Sequence, residues 1–176
     1  MADGPTITLN DGRQMPQIGQ GVFQVPAEEA ARLVGIGIDV GYRAVDTAAF
    51  YGNEEGVGRA VRDTDETIFV TTKLWNSDHG RDAARRAFDE SYAKLGLDWI
   101  DLYLIHWPVP SRNLYVETWK ALVELREEGR VKSIGVSNFT VDQLKEIIDA
   151  TGVVPVTNQI EPVSYTHLTL PTILRV

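Results

Sequence analysis

The sequence predicts an α/β fold whose parallel sheet is curled into a barrel, and three observations carry that expectation. Segments with apolar residues at helical spacing alternate along the chain with short runs rich in β-branched residues. Those runs are too apolar for a sheet with one wet face and suit strands covered on both faces, joined by right-handed βαβ crossovers. A glycine or polar residue ends each run, at Gly21, Asp46, Lys73, His106, Ser137 and Gln159, and successive ones lie 22 to 33 residues apart, the length of a βα unit. In such folds the carboxyl ends of the strands form one face, where ligands and catalytic groups collect.

Each element has its own signal. In "TITLNDGRQMPQIG", Asn10-Asp11-Gly12 separates two short segments and predicts a β-hairpin ahead of the main fold. Ala30, Leu33, Val34, Gly37 and Ile38 then fall on one helical face, and "AVDTA" reads as the strand that follows. After the strand "TIFVTTKL", a helix carries Ala84, Ala87, Phe88, Ser91 and Leu95 and stops at Gly96. "WIDLYLIHW" is the next strand, followed by a helix with Trp119, Leu122 and Val123 that Gly129 closes. After "KSIGVSN", Thr140 and Gln143 form a capping box that opens a helix with Leu144, Ile147 and Ile148, and "VTNQI" is the last strand. No linker divides the chain. An open doubly wound sheet would need a glycine-rich turn straight after its first strand; "GIGIDVG" at 35 to 41 has the wrong spacing and closes a helix, so the barrel is preferred.

Composition narrows the function. A chain of 176 residues, 43% hydrophobic and 24% charged, is long enough for one domain with a core. The net charge of -8 opposes general nucleic-acid binding, leaving room only for a local anion pocket. Without cysteine there are no disulfides or thiolate ligands, and His79, His106 and His167 are too scattered for a histidine metal site. The N-terminus lacks a basic start and an apolar run, and no segment approaches the about 18 apolar residues of a membrane helix. A cytoplasmic protein with no membrane or nucleic-acid partner and no metal is expected.

The stretch "DTAAFYGNE" crowds an acid, a phenol, an amide and a second acid onto one strand end. Taken singly, Asp46 and Lys73 read as a structural ion pair, Tyr51 as a half-buried phenol and His106 as a packed imidazole. Together they offer a phenol that can donate a proton and an ammonium that can lower that phenol's pKa. They add a carboxylate that keeps the ammonium charged and an imidazole that can orient a carbonyl oxygen.

"DTAAFYGNE", "TTKLW", "LIHWP", "GVSNF" and "NQIE" stand in the order and at the spacings of the aldo-keto reductases, which the chain resembles from about Thr6 to Glu161. The resemblance implies a (β/α)8 barrel that binds a nicotinamide dinucleotide without a Rossmann fold and transfers hydride between its C4 and a carbonyl. It implies that Tyr51 is the general acid, that Lys73 and Asp46 tune it, and that His106 orients the substrate oxygen. Gly21, Val22 and Phe23 match the segment beneath the nicotinamide, although threonine and tryptophan are common at the positions of Val22 and Phe23. Ser137, Asn138 and Gln159, with Asp46, match positions that bind the cofactor; capping or backbone hydrogen bonding is the other reading of the first three. Phe23, Trp75 and Trp107 are placed to wall an apolar carbonyl substrate, with loop packing as the alternative for the two tryptophans.

The implied cofactor is NADPH, with NADH left open, and the implied substrate is an aldehyde, ketone or keto-sugar. Full-length relatives are expected to be monomers. A short-chain dehydrogenase would need Tyr-x-x-x-Lys on a helix, whereas "SYAK" puts Tyr92 and Lys94 two apart. A non-enzymatic binding subunit or an inactive barrel fragment stays open. After Glu161 the chain reads "PVSYTHLTLPTILRV", which divides it into a partial barrel at 1–161 and a non-matching tail at 162–176. About six βα strands are present, and a (β/α)8 barrel typically needs about 250 residues. The chain as written is therefore expected to be an incomplete barrel, poorly stable, prone to aggregate and weakly active, because the family's adenosine contacts lie beyond the match.

Overall fold

The computed structural model describes residues 4–161, so the expected tail lies outside the described residues. The hairpin is present: β1 (Thr6–Thr8) and β2 (Gln14–Pro16) pair antiparallel, with Thr8 opposite Gln14. Gly12 takes φ +84° in its loop, a conformation that glycine adopts without steric cost. The loop reaches the main sheet, because Asp11 Oδ2 accepts from Ser133 Oγ at 2.6 Å and Asn10 Nδ2 donates to the Pro155 carbonyl at 3.1 Å.

Among the described residues six strands form the parallel sheet: β3 (Gln20–Gly21), β4 (Ala44–Asp46), β5 (Phe69–Leu74), β6 (Ile100–Ile105), β7 (Val131–Ser137) and β8 (Asn158–Gln159). Their spatial order is their chain order, whereas a doubly wound sheet reverses direction at a switch point. The sheet is curled as well, since Gln159 on β8 donates to Asp46 on β4 at 3.0 Å across strands that are not neighbours. The result is a half-barrel wall.

Around it lie α1 (Ala27–Asp39), α2 (Glu54–Arg62), α3 (Arg81–Leu95), α4 (Tyr115–Glu127) and α5 (Val141–Thr151). The larger core fills the space between helices and sheet, where Phe88, Trp119 and Leu122 are fully buried. A smaller one, built from Ala44, Phe69, Leu102 and Leu104 with Met15 of β2, is made by alternate residues of the same strands. Two cores on opposite strand faces explain why the strand runs are apolar throughout.

The expected helical faces are confirmed, most closely in α3, whose buried residues are Ala84, Ala87, Phe88, Ser91 and Leu95. The Thr140–Gln143 capping box is formed. One helix, α2, has no counterpart in the expected elements. Its sequence "EEGVGRAVR" carries only a short apolar stripe, Val57, Ala60 and Val61, and two glycines, which lower helix propensity by about 1 kcal/mol each relative to alanine. Packing sets the glycines: a Cβ at Gly58 would lie 1.9 Å from the Leu95 carbonyl oxygen, and one at Gly56 would lie 2.7 Å from Ala30 Cβ.

The polar positions gather on one face. Gly21, Asp46, Ser137 and Gln159 are the last residues of their strands, Lys73 is one before the end of β5, and His106 is one past β6. Among the described residues no helix is long and apolar enough to cross a membrane, and no cluster of His, Asp and Glu could hold a metal ion.

Candidate active site

The chain leaves β4 through an extended Ala48 and turns through a short 3-10 segment, Ala49–Tyr51, before Asn53 starts α2. This turn presents Phe50 and Tyr51 to a cleft of about 370 Å³ at the carboxyl ends of the strands. Phe23, Phe50, Trp75 and Trp107 supply its aromatic lining, and Ser137, Asn138, Gln159 and Glu161 its polar lining, with Tyr51 and His106. Tyr51 packs 5.1 Å from Phe23 and meets the His106 ring edge-on at 5.8 Å. His106 is in turn edge-on to Trp75 at 5.1 Å, and Trp75 stacks on Phe50 at 3.8 Å.

Lys73 does not line the cleft. Its side chain is buried, and Nζ lies 5.3 Å from the centre of the Tyr51 ring. The ammonium is ion-paired with Asp46 Oδ1 and donates to the Thr47 carbonyl at 3.0 Å. Asp46 Oδ2 accepts from Gln159 Nε2, so the carboxylate is shared between β5 and β8. Gly21, Asp46 and Thr71 line a second cavity of about 280 Å³, and Gln159 borders both.

Burial governs the protonation states. The Tyr51 phenol is pushed up to about 12, first by burial and then by the Asp46 and Glu161 carboxylates. The Lys73 ammonium is bound to Asp46 and Thr47, while the phenol faces two negative charges. Burial also lowers Lys73, against the opposing pull of Asp46. His106 is brought down to about 4, first by burial and then by the Lys73 charge. At neutral pH the site therefore holds a protonated phenol beside a neutral imidazole.

A family model described as aldo/keto reductase matches residues 15–171. The chain belongs to the aldo/keto reductase family. It is 53% identical over 160 residues to an aldo-keto reductase of Mycobacterium sp. (strain KMS), a match covering 89% of this chain and 58% of that protein. It is 53% identical over 164 residues to the methylglyoxal reductase DkgA of Escherichia coli (strain K12), covering 92% of this chain and 59% of that one. A crystallised Gox0644 variant in complex with NADPH superposes with a TM-score of 0.87 at 56% identity, covering 90% of this chain and 58% of that one. The chain thus spans less than two thirds of the length of these relatives.

Within this aldo-keto reductase chain, the residues at the ends of β7 and β8 line the cleft and also tie the two strands together. Ser137 Oγ donates to the Gln159 carbonyl at 2.7 Å, and Asn138 Nδ2 donates to Ser137 Oγ at 3.1 Å. Asn138, at φ 61°, accepts on Oδ1 from the Glu161 amide at 3.0 Å. Ser137 and Asn138 thus bond backbone groups, while the Gln159 side chain bonds the Asp46 carboxylate and the helix cap is Thr140.

The Val22 side chain is fully buried in the larger core and lines neither cavity, while its backbone N–H donates to the Asp46 carbonyl at 3.1 Å. Phe50 and Glu161 were not expected in the cleft. Phe50 could have been found from its position beside Tyr51, since successive residues of a tight turn can both face one opening; Glu161 carried no such signal.

Proposed function

We propose that this chain carries the proton-donating and substrate-orienting side of an NADPH-dependent carbonyl reductase. Its substrate is an aldehyde, ketone or keto-sugar, and a small 2-oxoaldehyde is the first to try because one relative is a methylglyoxal reductase. The observation that carries the reading is that Tyr51 and His106 line one cleft while the Nζ of the buried, Asp46-paired Lys73 lies 5.3 Å from the centre of the Tyr51 ring. The NADPH-bound structural relative supports the choice of cofactor.

The residues present suit a nicotinamide dinucleotide. Ser137, Asn138 and Gln159 offer hydroxyl and amide groups on one side of the cleft, complementary to a carboxamide. An added Cβ at Gly21 would meet nothing within 4 Å, so a flat ring finds room at that strand end. When bound, NADPH supplies hydride to the carbonyl carbon. Tyr51 Oη, protonated through neutral pH, gives its proton to the carbonyl oxygen as negative charge builds there. The neutral His106 ring orients that oxygen, and Lys73, anchored by Asp46, holds positive charge beneath the tyrosine. Phe23, Phe50, Trp75 and Trp107 bury the apolar part of the substrate and exclude water. In this reading the protein is cytoplasmic, and its full-length relatives work as monomers.

Titration of the chain with NADPH tests the cofactor half directly. Trp75 and Trp107 line the cleft, so bound nicotinamide should quench tryptophan fluorescence saturably. An unchanged spectrum up to saturating NADPH would remove the reading.

A further inference from the structure

We propose that Asn53 is a positioning residue for the reaction described above, on which this inference rests: it fixes Tyr51 and Phe23 relative to Lys73. Asn53 is almost wholly inaccessible and touches no cleft. Its amide uses both ends. Oδ1 accepts from Thr47 Oγ1 at 2.7 Å, while Nδ2 donates to the Val22 carbonyl at 2.9 Å and the Val25 carbonyl at 3.0 Å. One side chain therefore joins the exit of β3, the exit of β4 and the start of α2.

The joined segments are those that carry the chemistry. Thr47 supplies the carbonyl that accepts from Lys73 Nζ, and Tyr51 lies two residues before Asn53 on the turn from β4. Between Val22 and Val25 stand Phe23, which packs on Tyr51, and Gln24, whose φ of 61° is disfavoured for a residue with a side chain. Asn53 holds the carbonyls on both sides of that strained residue. Without those bonds the loop can relax and carry Phe23 away from the phenol. A displacement of about 1 Å at a reacting group can cost about 100-fold in rate.

Asn53→Asp preserves shape and the acceptor for Thr47 but sets a carboxylate oxygen against two carbonyls; Asn53→Ala removes all three bonds. Two measurements on the purified chain decide. Amide exchange in segments 22–25 and 49–52 should quicken by about tenfold or more while that of β6 is unchanged. With NADPH and methylglyoxal, kcat should fall about 10- to 100-fold while KM for NADPH moves less than about twofold. Should Asn53→Ala fail to fold, Thr47→Val, which deletes one of the three bonds, gives the same pattern at smaller size. Folded variants with wild-type kcat, or with unchanged exchange in both segments, would overturn the proposal. If the wild-type chain shows no NADPH-dependent rate, the proposed reaction fails, and exchange alone decides whether Asn53 positions the turn and the loop.

Discussion

His79 and His106 are the two buried imidazoles of the described residues, and their protonation sets a pH limit on the fold. Burial lowers each from 6.5 to about 4. The folded pKa lies below the unfolded one, so between those values the unfolded chain binds more protons. The stability that each neutral ring contributes is complete above about pH 6.5 and is lost as pH falls toward about 4. The midpoint of thermal unfolding should drop across this window. His79→Gln cannot titrate there and should show a shallower drop; a drop as steep as that of wild type would mean that His79 is not held neutral. Tyr51 illustrates the same control from the other side, since burial and two carboxylates keep its proton in place.

The βα elements show where propensity yields to packing. Gly58 in α2 faces the Leu95 carbonyl, and a methyl there would lie 1.9 Å from oxygen, so backbone must shift. Gly58→Ala should destabilise by about 1–3 kcal/mol in denaturant unfolding despite its better helix propensity. Gly35 in α1 is the control: its added Cβ meets nothing within 4 Å, and Gly35→Ala should be neutral or gain up to about 1 kcal/mol. Equal effects at the two sites would refute the packing argument. The contrast also explains the missing helix. In α3 five residues at helical spacing announce the buried face, whereas in α2 only Val57, Ala60 and Val61 do so, and its two glycines sit against Ala30 and the Leu95 backbone, a feature no hydrophobic period contains.

For the whole molecule, strand order and the common face were legible because each strand end carries a polar residue or glycine one βα unit from the next. What lay beyond the sequence depends on curvature. The bond from Gln159 to Asp46 forms only because the sheet bends β8 toward β4, and the phenol is raised first by burial and then by the Asp46 and Glu161 carboxylates near it. Nor does the sequence show that the Val22 side chain turns into the core while its neighbours Gly21 and Phe23 line cavities. The central claim is that these strand ends make one proton-donating site for carbonyl reduction. It is tested most directly by comparing NADPH consumption with methylglyoxal in the wild-type chain and in Tyr51→Phe, at equal folded fraction. The ring still packs in the variant but the donor is gone, so the rate, however slow in wild type, should fall by about 10²- to 10⁴-fold. Equal rates in the two proteins would contradict the account.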